Sequence, residues 1–339
     1  MATGLEAVGP ADLPDALAEE RALVVDLDRP SSAAELSRAA TAARAADVAL
    51  VGVLGQRSAP QLAGLVEALS TTLVQGSSDR RDVVGVADLD QALEAIAENV
   101  SRSPQAAATL PGLLRLTAAV PVREGLVAES LAYSLLLCGP EFAAWRASRP
   151  RRQVPAFGEP AVLLQRDGNR LLVTLNRPQR HNAFSAEVRD ALLGALEVAV
   201  LDDSVDAVEL RGNGRSFCSG GDLDEFGTAK DLVAAHLLRV RHSAGRVVDE
   251  LAARTTVYLH GACIGAGLEV PAFAGRVVAA PDTSLQLPEL RMGLVPGAGG
   301  TVSVTRRIGR WRTAYLVLTS AVLDAATAHE WGLVDQLAP

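Results

Sequence analysis

Glu269 stands in the stretch GACIGAGLEV (Gly261–Val270), where every companion is small or apolar. A carboxylate in such a setting is costly to bury unless it is paired, protonated or at work. Twenty residues further on, Glu289 follows Pro288 in SLQLPELRMGLVPGAGG (Ser284–Gly300), again among apolar neighbours. Two such carboxylates suit general acid–base chemistry on an activated carbonyl. The rival for either one is a buried ion pair, and Arg276 and Arg291 are near enough in sequence to be the partners.

Glycine turns accompany both glutamates. In GNGRSFCSGGDLDEF (Gly212–Phe226) a Gly-Gly-Asp turn follows an expected strand and lets a backbone N–H face a ligand unobstructed. Taken alone, it reads equally well as an ordinary strand-ending turn. Gly265-Ala266-Gly267 is placed to open a helix, whose first N–H groups and positive dipole end are the parts of an oxyanion hole. Its rival reading is tight helix packing through small residues. PGAGG (Pro296–Gly300) is placed to open the next helix, but it lacks the Lys-Ser/Thr ending of a phosphate-binding P-loop.

An alternation of strands and helices must carry these turns. Asn169–Arg177, Val205–Gly212, Thr255–Gly261 and Gly275–Pro281 read as strands, and Phe184–Asp202, with Ser185 as N-cap, and Leu232–Ala253 as helices. Strands separated by helices imply crossover connections and an α/β fold. The first half holds a faint copy of this order. VVDLDRP (Val24–Pro30) is like LVTLNRP (Leu172–Pro178), DVALVGV (Asp47–Val53) is like DAVELRG (Asp206–Gly212), and Leu65–Gly76 is like Asp249–Gly261. Residues 20–76 therefore read as a shortened internal repeat. Ala87–Val100, Ser103–Leu116 and Glu124–Leu137 have helical periodicity, and the Pro- and Arg-rich Ser148–Pro160 reads as a linker.

Composition bounds the rest. The chain has 339 residues, 49% hydrophobic, 21% charged and only 4% aromatic, so its core is aliphatic. A net charge of −8 argues against a broad basic surface for nucleic acid. Cys138, Cys218 and Cys263 have no metal-ligand spacing and make a poor disulfide framework, so no metal is expected and a reducing cytoplasm is the expected setting. The first twenty residues lack the apolar segment of a secretory signal, and no apolar run reaches membrane-spanning length.

In their order and separations, SFCSGGDL (Ser216–Leu223), GACIGAGLE (Gly261–Glu269) and LQLPELRMGLVPGAGGT (Leu285–Thr301) resemble the crotonase superfamily, the enoyl-CoA hydratase/isomerase proteins. The resemblance covers residues 161–339. It implies a superhelix of ββα units and an acyl-CoA thioester substrate, with coenzyme A entering only as part of the substrate and no separate cofactor. It implies an oxyanion hole from the N–H groups of Gly221 and Ala266. Glu289 matches the residue that delivers a proton to Cα, Glu269 the one that activates water for attack at Cβ, and Gly297 the glycine that helps place that water. Ser219, Asp222 and Leu223 fall beside the substrate, and Arg149 matches a basic residue near the CoA phosphates. A homo-oligomer, trimer or hexamer, is also implied.

With both glutamates present, the resemblance favours hydration. The alternatives are double-bond isomerisation, another enolate-forming reaction such as decarboxylation or hydrolysis, and a non-catalytic acyl-CoA-binding partner subunit. Ala266, Ser219, Leu287 and Asp224 depart from residues common in the family at those positions. The arrangement departs too. A helical region usually follows a segment like Ala325–Pro339, and here residues 81–150 resemble that region. The expected organisation is a degenerate partial repeat (1–80), a helical region serving as the family's C-terminal part (81–150), a linker (151–160) and a catalytic core (161–339), as in a permuted or duplicated gene.

Overall fold

A computed structural model describes residues 5–19, 22–55, 60–152 and 157–338. Parts of the expected signal-free start, of the repeat and of the linker (1–4, 20–21 and 153–156) lie outside the described residues.

Five short strands, β1 (Glu6–Val8), β2 (Leu23–Asp26), β3 (Leu50–Leu54), β4 (Thr71–Gln75) and β5 (Val84–Val86), form an all-parallel sheet in chain order. Alternation along the strands splits its two faces. Leu23, Val25 and Leu50 pack with Leu36, Ala39 and Leu65 of the covering helices. Val24, Val51, Leu73 and Val84 instead join the main core.

The second half builds the larger sheet from β6 (Val162–Asp167), β7 (Arg170–Leu175), β8 (Ala207–Gly212), β9 (Thr255–Leu259), β11 (Arg276–Ala279) and β14 (Gln336–Leu337). β6 and β7 form an antiparallel hairpin, and β7, β8, β9, β11 and β14 are parallel neighbours in that order. A separate small sheet joins β10 (Ala262–Ile264), β12 (Ser284–Gln286) and β13 (Leu323–Asp324). This small sheet carries the chemistry-bearing segments.

The expected helix 184–202 runs Ala186–Leu201, and the Ser185 hydroxyl accepts from Val188 N at 3.2 Å. The expected single helix 232–253 is two helices, Leu232–Arg241 and Ala244–Glu250, with a 3₁₀ turn after them. Two cap residues explain the break: Asp231 caps the first helix, and Ser243 accepts from Arg246 N and starts a second one.

Between the halves lie the helices Leu89–Arg102, Pro104–Ala119, Val122–Leu137 and Pro140–Ala147. The first three pack on the helices Gly300–Ile308 and Arg310–Thr319 of the second half, and the fourth on the turn Glu289–Met292. Buried polar side chains pin the contact: Thr117 Oγ1 donates to Thr301 O at 2.8 Å, and Asn99 Nδ2 to Leu318 O at 2.9 Å. Arg81 bonds the carbonyls of Arg306 and Arg307 at the end of the same helix. Among the described residues no single helix is long and apolar enough to cross a membrane.

Candidate active site

Two loop crossings bring the glycine turns together. Cys218 and Cys263 form an isolated parallel bridge: Cys218 N donates to Ala262 O at 3.2 Å, and Ile264 N to Cys218 O at 3.0 Å. Gly267 makes the approach possible, because a Cβ there would lie 2.2 Å from Cys218 O. Asn182, fully buried, ties the first turn down by donating to the carbonyls of Asn213, Ser216 and Phe217. The helix Ala266–Glu269 starts directly after Gly265, whose φ of +49° an L side chain rarely adopts. The N–H groups of Gly221 and Ala266 are left without a hydrogen-bond partner among the described residues. Both residues line one cavity of about 850 Å³.

Glu269 and Glu289 line the same cavity, and both are buried. Their Oε1 atoms border one small space: a Cβ on Gly265 would lie 2.7 Å from that of Glu289 and 3.7 Å from that of Glu269. Among the described residues neither carboxylate has a basic partner. Arg276 bonds Gln336, and Arg291 is exposed and forms no ion pair with a described residue, so Arg276 and Arg291 are not the partners. Their surroundings differ instead. Glu269 Oε2 accepts from Ala298 N and Gly300 N, each at 2.8 Å, at the start of the helix Gly300–Ile308. Glu289 Oε2 is buried with no hydrogen-bond partner.

These settings push the two proton affinities apart. Burial raises Glu269 to about 7, against the pull of the Ala298, Gly300 and Gly297 N–H groups. Burial, and then the charge of Glu269, raise Glu289 well above the usual carboxylate range. Each carboxylate therefore favours its protonated form more than an ordinary glutamate does.

A third buried carboxylate, Glu129 on the helix Val122–Leu137, lines the cavity as well. It accepts from Gly299 N, Thr301 N and Thr301 Oγ1 at 2.7–2.9 Å. Burial, then the charge of Glu269, raise it to about 8. Sequence reasoning passed over Glu129, although GLVAESLAYSLLL is the same signal that singled out Glu269: one carboxylate in an apolar stretch.

The remaining expected residues also reach the cavity wall. Gly297 packs under the Tyr133 ring, where a Cβ would lie 2.4 Å from a ring carbon. Ser219, Asp222 and Leu223 line the wall, but the Asp222 carboxylate is engaged by Arg180 at 2.7 and 2.8 Å. Asp224 is bound by the same guanidinium at 3.0 Å. Arg149 lies at the cavity rim with its guanidinium 5.3 Å from the Trp145 ring centroid. Among the described residues no group of three or more His, Cys, Asp or Glu side chains is placed to hold a metal ion.

Two facing turns, whose Gly221 and Ala266 N–H groups have no partner among the described residues, lie beside two buried carboxylates, the arrangement that the resemblance to the crotonase superfamily leads one to expect. Comparison with known proteins agrees: the family profile for enoyl-CoA hydratase/isomerase matches residues 166–339, and the chain belongs to that family. It is 33% identical over 178 residues to a 2,3-dehydroadipyl-CoA hydratase of Escherichia coli, covering 52% of this chain and 69% of the relative. A 1,2-epoxyphenylacetyl-CoA isomerase of the same organism is 33% identical over 172 residues, covering 49% of this chain and 65% of the relative. Among solved structures, an enoyl-CoA hydratase of Mycobacterium smegmatis superposes with a TM-score of 0.50 at 30% identity, covering 53% of this chain and 70% of that one.

Proposed function

We propose that the chain hydrates the 2,3 double bond of an enoyl-CoA thioester. The thioester oxygen sits between the Gly221 and Ala266 N–H groups, which stabilise the enolate-like charge as it develops. Glu269 takes a proton from water and the hydroxyl adds to Cβ. Glu289 gives its proton to Cα. One water is consumed, and no electrons are exchanged. The observation that carries this reading is the difference between the two carboxylates. Glu269 is held by backbone donors with one oxygen turned to the shared space, whereas Glu289 is buried, its Oε2 has no partner among the described residues, and its proton affinity is raised. An isomerase needs one carboxylate to move a proton, whereas hydration uses both. The test is conversion of crotonyl-CoA to 3-hydroxybutyryl-CoA in isotopically labelled water, with the label recovered at C3. Clean double-bond migration without label would establish the isomerase instead. Tight CoA binding without turnover would establish the partner subunit.

We propose further that residues 81–150 take the part of the family's C-terminal helical region. Leu126, Glu129, Tyr133 and Trp145 on the cavity wall support this, as does the packing of the helices Leu89–Arg102, Pro104–Ala119 and Val122–Leu137 on Gly300–Ile308 and Arg310–Thr319. The parallel order β2-β3-β4-β5, like β7-β8-β9-β11, supports a degenerate repeat before it. Association of like chains is proposed on the exposed apolar pairs Leu131 and Leu135, and Val233 and Leu237. Sedimentation velocity tests it.

A further inference from the structure

The cavity has a cationic wall that the hydration chemistry does not use. Arg239, on the helix Leu232–Arg241, lines it half-buried. Its guanidinium lies 5.0 Å from the centroid of the Tyr133 ring. Nε donates to Ser130 Oγ at 3.2 Å, and one terminal nitrogen donates to Ser134 Oγ. Ser130 Oγ is in turn 2.9 Å from His236 Nδ1. A guanidinium has five N–H donors, so donors remain after these two bonds. No carboxylate lies within ion-pair distance of Arg239 among the described residues. The acid that acts on it from further away is Glu129, whose own affinity for a proton is raised.

Its position relative to the reacting atoms sets what it can meet. Tyr133 packs directly on Gly297, in the turn that holds Glu269, and Arg239 lies against the same ring. On the hydration reading an acyl chain in the oxyanion hole has its Cα at Glu289 and its Cβ at Glu269, and Tyr133, packed on the turn that holds Glu269, stands next along the chain. Arg149 and Leu223 lie on the other flank, beyond the bend between the helices Val122–Leu137 and Pro140–Ala147. On the same reading CoA leaves by that flank, past Arg149.

We propose that Arg239, backed by Ser130 and Ser134, is an anchor for a carboxylate at the far end of the acyl chain, so that the preferred substrates are CoA thioesters of dicarboxylic acids. A planar guanidinium steadied against an aromatic ring and by two hydroxyls is preorganised for carboxylate oxygens. A purely aliphatic tail would offer its remaining donors no partner. The proposal rests on the hydration reading for the direction of the acyl chain.

Binding of saturated analogues tests it apart from turnover. Calorimetry would compare ω-carboxyacyl-CoA with the matched unbranched acyl-CoA from four to eight carbons, and with free CoA. The expected result is a preference for the carboxylate form at one or more chain lengths of about 10- to 100-fold, the range of a charge-assisted hydrogen bond. Arg239→Gln should bring that ratio to within a few-fold of one, and Arg239→Lys should keep part of it. No carboxylate preference at any length in the unaltered protein overturns the proposal, whether or not the variants fold. Equal weakening of both series and of free CoA by Arg239→Gln also overturns it, because the arginine would then hold CoA phosphate. Absence of hydration with the preference intact would instead count against the hydration reading alone.

Discussion

Glu129 and Glu269 hold alternate amides of a single turn. Glu269 takes the N–H groups of Ala298 and Gly300, and Glu129 those of Gly299 and Thr301. Glu269 belongs to the small-sheet region and Glu129 to the intervening helices, so the turn is fixed from two sides. Glu129→Ala leaves two buried N–H groups and a hydroxyl unsatisfied. The expected cost is about 2–4 kcal/mol in urea unfolding. Glu129→Gln keeps one acceptor oxygen and should lose less. If Glu129→Ala is as stable as the parent, Glu129 does not hold the turn.

The two pocket glutamates should separate chemistry from binding. Glu269→Gln and Glu289→Gln are each expected to lower kcat by about 10²- to 10⁴-fold, as loss of a general acid or base does. Binding of a saturated acyl-CoA should change little. Neither carboxylate has a basic partner, so neither substitution breaks an ion pair. Thermal melting should hold steady or rise, and a large fall in melting temperature with unchanged kcat would contradict both roles.

Ala266 stands at the first position of a helix, where proline is tolerated and its missing N–H costs the helix nothing. Ala266→Pro therefore removes one oxyanion donor with little damage to the fold. We expect kcat to fall about 10²- to 10³-fold. Ala266→Gly keeps the donor and should stay near the parent rate. Equal rates for the proline and glycine variants would remove Ala266 from the oxyanion hole.

Hydration needs Glu269 ionised and Glu289 protonated, so kcat should rise with pH on a limb centred near 7 and fall on a second limb at higher pH. These limbs belong to the coupled set of carboxylates rather than to one residue. Glu269→Gln should abolish the lower limb in any residual activity.

Stability should run the other way. Glu129 and Glu269 are raised from 4.5 to about 8 and about 7, so between roughly pH 4.5 and 8 the native state holds protons that the unfolded chain releases. Their contribution to stability is present at the acid end of that window and is lost as pH rises through it. The melting temperature should fall from pH 5.5 to 8, and Glu129→Gln should flatten that slope. A rising melting temperature across the window would contradict the buried protons.

The chemistry-bearing stretches were legible because they are local. A carboxylate among apolar residues and glycines at a strand end are visible in ten residues of sequence, and the ordered set of three carries the family. Strand positions followed from runs of β-branched and aliphatic residues such as LLVTL and TTVYL. The long helix 232–253 was misjudged because apolar periodicity continues through His242 and Ser243, while a single serine cap decides where the second helix begins. Glu129 carried a local signal, but its meaning was not local.

The sequence by itself determined the glycine turns, the two pocket glutamates and the alternating α/β order, because each depends on residue type and short spacing. Only the tertiary structure decided that Glu129, 140 residues before Glu269, shares its turn, and that Tyr133 packs on Gly297 with Arg239 against its ring. Those relationships depend on how the helix Val122–Leu137 packs between the helices Gly300–Ile308 and Leu232–Arg241. Such packing is set by the burial of whole apolar faces, and a single chain's residue order does not say which faces meet.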